Sequence, residues 1–218
     1  MEPITRTEPW DVDCRLVELD LTREVLIDIV KASVAGSGDC SDNDPPSARG
    51  YESYRQGTRR ARELLCGEVW EKDDSGNFCS VINHKRRLKL VVMNSDDGAG
   101  LPGRIPQNRC RKGPNSERAA EINAQIGLFQ PGELPLSSLK GVPPATHGYT
   151  TWHLCVFIDG ETVRAELSLL NRFRFGYFTG FFEKNIVVGV GDWKPLAVFD
   201  DPTEDDGASE FLIEVNRK

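Results

Sequence analysis

The sequence is short of the residues on which most site chemistry depends. It has three histidines, His84, His147 and His153, and six cysteines with no Cys-x-x-Cys pair among them. Zinc draws its ligands from close pairs. Cys79 and His84 stand five apart and Cys66 lies thirteen residues before Cys79, which does not suit it. The scattered cysteines read instead as reduced thiols, mostly small buried hydrophobes. No serine or cysteine has the context of a nucleophile elbow, so a hydrolytic triad finds no support, and His153, in a strand pattern, reads as structural.

Long apolar runs are also missing. Mean hydropathy is −0.42, and no stretch approaches the roughly eighteen apolar residues of a membrane helix. The Met1–Cys14 stretch is acidic and has no apolar signal core, which sets a cytoplasmic expectation with no membrane partner. No internal repeat or low-complexity tract is visible. Net positive charge is absent too. The chain stands at −7, which excludes a uniformly basic nucleic-acid protein.

What is present is charge asymmetry. Between Lys85 and Arg118 lie nine basic residues and three acidic ones, a segment of +6 on a remainder of −13. Such a chain can present one basic face on an acidic body.

Its 218 residues, 39% hydrophobic, suit a single domain over 1–218, with a helical part over 20–67 and a hairpin-rich part over 150–218. Val25, Leu26, Ile29, Val30 and Val34 recur at helical spacing, with Thr22 or Asp20 as cap and Gly36 as stop. A second helix is expected over 48–66, stopping at Gly67. Gly67–Ile82 reads as a hairpin around Asp74–Gly76, and Arg86–Asn94 as a central strand. A short helix follows, capped by Asn115 or Ser116, with Ala119, Ile122 and Ile126 on its buried side. The proline-rich connection 129–148 is long enough to be a flap. Thr151–Leu170 is a hairpin around Asp159–Gly160, and Phe181–Trp193 adds a strand. An acidic loop over 198–210 and a closing strand at Phe211–Arg217 complete the pattern. The fold class expected is α+β: a mixed, largely antiparallel sheet with about three helices packed on it.

Four stretches could carry chemistry. Gly98, Gly100 and Gly103 spell Gly-x-Gly-x-x-Gly after an apolar strand. Pro102 and Pro106 break the helix that a dinucleotide site needs, so the motif lacks its context. The rest of that loop holds Arg104, Asn108, Arg109, Arg111 and Lys112 between prolines and leads into a helix start. Arginine contacts phosphate bidentately and free helix amides add donors, so this is a candidate phosphate clamp, with Gln107 and Asn108 able to reach a base edge. In Asn171–Phe182, Phe173, Phe175 and Tyr177 share one face of a strand pattern, and Arg172 and Arg174 share the other. That is a stacking platform for bases or, more often, core packing. Finally, Asp96, Asp97 and Glu166 could gather around Mg²⁺ in a nuclease-like site. Glu166-Leu167-Ser168 has serine where a Glu-x-Lys step needs lysine.

The expected function is nucleic-acid binding through one basic face. It is composed of Arg55, Arg59 and Arg62, three helical arginines with few nearby acids, then Lys85, Arg86, Arg87 and Lys89 at the start of the strand, and the Arg104–Lys112 loop. The partner is DNA or RNA, and no cofactor is expected. The alternatives are a divergent Mg²⁺-dependent nuclease, the only reading that needs Mg²⁺, and a non-catalytic module whose basic face meets a protein partner or another copy's acidic loop.

Overall fold

The structure, a computed structural model, describes residues 2–126 and 148–194. In chain order the elements are β1 (Ile4–Arg6), α1 (Pro9–Glu18), α2 (Arg23–Gly38), α3 (Ala48–Leu65), β2 (Trp70–Asp73), β3 (Ser80–Asn83), β4 (Leu88–Asn94), α4 (Pro114–Ile126), β5 (Thr150–Asp159), β6 (Thr162–Arg174) and β7 (Tyr177–Val188). The strands form one mixed sheet in the order β1-β7-β6-β5-β4-β3-β2. Among the described strands, only the pairs β1–β7 and β4–β5 are parallel. The fold is α+β, as the run of helices followed by hairpins implies.

The sheet separates two cores. On one face Leu90, Trp152, Leu154, Ala165 and Leu167 pack with Leu16, Leu26, Ile29 and Ala61 from α1, α2 and α3. On the other, Met93, Cys155, Leu170 and Phe178 meet Ala120 of α4. The split follows strand alternation: Leu154 and Cys155, or Val92 and Met93, point to opposite faces. Four helices are therefore present among the described residues, three on one face and one on the other.

The sequence pattern gives no hint of α1, which buries only Val12 and Leu16, one helical turn apart. Pro9 in the first turn and Asp11 behind it favour its start. Thr22 caps α2, its hydroxyl accepting from the Val25 amide at 3.3 Å, a contact worth about 1 kcal/mol. Gly36 does not end that helix. It lies against α3, where a Cβ would come within 2.7 Å of the Glu52 carbonyl, so it serves helix–helix approach.

The two expected hairpins form, β2–β3 and β5–β6. Asn171–Phe182 is not one strand. It turns at Phe175–Gly176, so Phe173 pairs with Phe178 and Arg174 with Tyr177 across a further hairpin, β6–β7. Register shifts between Ala165 and Phe173 curl this hairpin, as bulges do, and bring its tip back over the α4 face. The acidic loop, the Phe211–Arg217 strand, His147 and the 129–148 connection apart from Gly148 lie outside the described residues.

Candidate nucleic-acid interface

The loop after β4 is held by two different devices. Its first half, residues 95–104, is tied inward. Asp96 Oδ1 accepts from the Gly98 amide at 3.1 Å and the Gln107 amide at 2.9 Å. The Gly100 amide donates to Glu166 Oε2 at 2.7 Å, and Lys184 Nζ donates to the Leu101 and Arg104 carbonyls, each at 2.9 Å. Glu166 and Lys184, on neighbouring strands, are both completely buried and 2.7 Å apart. Ser168 adds a 2.6 Å hydrogen bond to the other carboxylate oxygen. Burial pushes the Glu166 carboxyl up, against the pull of Lys184, Ser168 and the Gly100 amide. Gly100 has φ +71°, and a Cβ there would meet Arg164 Cβ at 2.7 Å and the Val188 carbonyl at 2.9 Å. Gly100 thus serves close backbone approach to β6 and β7, whereas a Cβ at Gly98 would meet the Ile105 carbonyl of its own loop and one at Gly103 would meet nothing.

The second half, residues 108–112, is tied to the β6–β7 tip. Asn108 is 2% exposed, and its side chain is spent on main chain. Its amide donates to the Cys110 and Gly176 carbonyls, and its oxygen accepts from the Phe178 amide. Arg111 Nε donates to the Phe175 carbonyl at 3.1 Å, and the Lys112 amide to the Gly176 carbonyl at 3.0 Å. Arg109 reaches the Ile158 carbonyl at 3.4 Å. These contacts orient the guanidinium groups without neutralising them.

The junction so formed is cationic and aromatic. Arg109, Arg111, Arg172 and Arg174 are exposed, and none has a carboxylate within 4.0 Å among the described residues. Phe175 stands at the tip with 79% of its surface exposed, and the Arg174 guanidinium lies 5.7 Å from its ring centre. Both turn residues have positive φ, Phe175 at +52° and Gly176 at +91°. That matches the two-residue turn usual in hairpins, where asparagine or aspartate normally takes the first place. A phenylalanine there is strained and gains no burial in return.

The other predicted residues lie elsewhere. Arg55 pairs with Glu52 at 2.7 Å, Arg59 with Glu63 at 2.7 Å, and Arg62 with Asp74 from the β2–β3 connection. The expectation that these arginines are short of acids is corrected: each has a carboxylate against it. Lys85, Arg86 and Arg87 precede β4, whereas the loop follows it, so a seven-residue strand of roughly 20 Å separates them. Arg86 is bidentate to Asp20, Arg87 lies over Tyr149, and Lys89 pairs with Asp73 at 2.6 Å. The strand-entry cluster is thus set apart from the loop, whereas α3 reaches the loop through Tyr54, whose ring centre lies 5.8 Å from the Lys112 ammonium. Arg104 keeps a loose contact with Asp97 at 3.4 Å.

The carboxylates of the nuclease-like reading do not converge on open space. Glu166 is buried among protein donors, Asp96 ties its own loop, and Asp97 is exposed beside Arg104. Among the described residues no group of histidines, cysteines and acids has metal-holding geometry. Arg172, Arg174 and Phe175 join the junction only because the chain turns at Phe175–Gly176. The glycine after a phenylalanine was the sequence signal for that turn.

Comparison with known proteins adds nothing to this geometry: no family model, curated protein or solved structure matches the chain. No helix of the described residues is long and apolar enough to cross a membrane.

Proposed function

We propose that this protein binds single-stranded nucleic acid at the junction of the 108–112 loop with the β6–β7 tip. The observation that carries the reading is the set of four exposed arginines, none with a carboxylate within 4.0 Å among the described residues, with an exposed, strained Phe175. Guanidinium groups held by main-chain carbonyls keep N–H donors free for phosphate oxygens. An aromatic ring beside them offers a stacking surface to any unpaired base, which a duplex cannot use without unstacking. The rest of the acidic chain repels a polyanion and limits binding to this end.

Fluorescence anisotropy with labelled single-stranded DNA, single-stranded RNA and duplex tests this. Binding of a single strand should weaken with salt, with a log–log slope of about −3 for four phosphate contacts. Phe175→Ala should weaken single-strand binding by about tenfold and duplex binding much less. No single-strand binding at low salt, or equal loss on both substrates, defeats the reading.

A further inference from the structure

β3 pairs with β4 only over Leu88–Leu90, so the β4 edge beyond is not covered by a strand. A cavity of about 280 Å³ opens there, bounded by α3, the β2–β3 connection and the start of α4. Its floor includes the buried Met93, His153 and Phe178, and its rim the exposed Asn77 and Gly113.

Three features converge on this space. His153 is 1% exposed and lines it, and neither ring nitrogen makes a hydrogen bond of normal geometry among the described residues, the Thr151 backbone being a polar neighbour. Its edge-on contact with Phe178, 4.8 Å between ring centres, accounts for the ring's position but leaves an N–H and a lone pair unspent. An unmet buried polar group costs about 1–3 kcal/mol, so such a ring points to something that binds it. Lys112 also lines the cavity. It is half-buried, its ammonium is 5.8 Å from the Tyr54 ring centre, and no carboxylate lies within 4.0 Å among the described residues. The third feature is the N-terminus of α4, thirteen residues long. Its first residue, Pro114, has no N–H, and the Ser116 and Glu117 amides donate to the Gly113 carbonyl, which leaves the Asn115 amide as the main-chain donor of this turn without a main-chain acceptor among the described residues, at the positive end of the helix.

A water molecule would satisfy His153 but leave the Lys112 charge uncompensated. An anion meets all three features together, and a phosphate monoester has the oxygens to engage the Lys112 ammonium and the Asn115 amide at once. We propose that this cavity binds a phosphate monoester, with its phosphate between Lys112 and the first turn of α4 and its remaining polar atoms against His153. The ligand is either a free nucleotide-sized molecule or the 5′-phosphorylated end of a strand held at the arginine junction. Lys112 belongs to the loop that carries Arg109 and Arg111, so the cavity and the junction are contiguous along the chain.

Isothermal titration with inorganic phosphate, adenosine 5′-monophosphate and acetate tests the cavity alone. The expected result is binding of the two phosphates, at least tenfold weaker in Lys112→Met, with acetate much weaker than either. The His153 ring-nitrogen resonances should shift on saturation with adenosine monophosphate. Lys112→Met keeps the aliphatic stem over Tyr54, and an unchanged melting temperature confirms that it folds. Absence of phosphate binding at millimolar concentration, equal binding in Lys112→Met, or equal binding of acetate overturns the proposal. A pair of oligonucleotides with and without a 5′-phosphate identifies the source. A Lys112-dependent preference for the phosphorylated strand assigns the strand end, and its absence assigns the free ligand. Arg109→Glu/Arg111→Glu separates this proposal from the interface reading. It should weaken oligonucleotide binding by about a hundredfold while leaving adenosine monophosphate binding within threefold.

Discussion

Arg55, Arg59 and Arg62 lie along α3 with a carboxylate against each, whereas Arg109, Arg111, Arg172 and Arg174 surround the β6–β7 tip with none among the described residues. The two regions use the same side chain in opposite settings. On α3 the acids are close in sequence, at i−3 for Arg55 and i+4 for Arg59, where a helix places neighbours. At the junction Asp96 and Asp97, earlier in the same loop, are engaged within it, Asp96 through main-chain amides and Asp97 through Arg104, and Glu117 and Glu121 of α4 line a shared pocket with Arg172 and Arg174 without pairing within 4.0 Å. In a chain of −7, acid-free arginines mark an anion site more sharply than arginine density does. The anchoring differs as well. Exposed ion pairs of the α3 kind contribute about 0–1 kcal/mol each, while the loop is bolted to a completely buried Glu166–Lys184 pair.

The largest effect should come from breaking that bolt. Lys184→Met leaves Glu166 buried without its cation and frees the Leu101 and Arg104 carbonyls. The expected loss is about 3–5 kcal/mol in urea unfolding. Glu166→Leu combined with Lys184→Met should recover most of that loss, because an apolar pair has no stranded charge. A single variant as stable as the parent would show that the pair does not anchor the loop.

Charge reversal at the junction comes next. Arg109→Glu/Arg111→Glu should weaken single-strand binding by about a hundredfold at low salt and make the salt slope shallower by about one to two. The anisotropy titration would count against the junction if affinity fell less than threefold.

Acid should strike the loop side before the α3 side. Burial, aided by the Lys112 charge, lowers the His153 pKa to about 3, with the Thr151 backbone opposing. The unfolded chain takes up this proton near pH 6.5, and the folded one does not until about 3. Between those values the unfolded state binds more protons, so stability falls with pH by about 1.4 kcal/mol per unit. Between pH 6 and 5 the expected loss is about 1 kcal/mol, and His153→Gln should remove it. Asp74, held down to about 2 by Lys72 and Arg62, is still ionised in that window, so its pair with Arg62 on α3 persists. Denaturant melts at the two pH values read the slope directly, and an identical slope in His153→Gln would assign it elsewhere.

Much of the architecture was legible because its signals are local. Alternation in Val163–Leu169, the Asp159–Gly160 turn and the 3.6-residue spacing of Leu26, Ile29 and Val30 depend only on neighbours in the chain. The Arg104–Lys112 loop could be read as a cation-rich lead into a helix for the same reason. The quenching of Arg62 could not, since Asp74 comes from another element twelve residues away. Nor could the pairing of Glu166 with Lys184, which a strand register supplies across eighteen residues. The lysine absent from the Glu-x-Lys spacing is thus delivered by the neighbouring strand, where Ser168 faces Lys184 in register. It serves there as a tie to the loop. Curling of β6–β7, which carries Arg174 and Phe175 to the loop, arises from register shifts that no short window encodes.

The smallest effect is the one that tests the comparison hardest. Arg55→Gln, Arg59→Gln and Arg62→Gln together remove three charges from α3, close to the four-unit change made by the double reversal at the junction. If a basic face of any kind sufficed, single-strand affinity would drop steeply. If paired arginines present little free charge, affinity should change by less than threefold. Stability should fall by no more than about 2 kcal/mol, since exposed pairs are weak and Arg62, the least exposed of the three, carries most of the loss. A tenfold loss of binding would show that the carboxylates of α3 yield to phosphate and that the helix belongs to the interface after all.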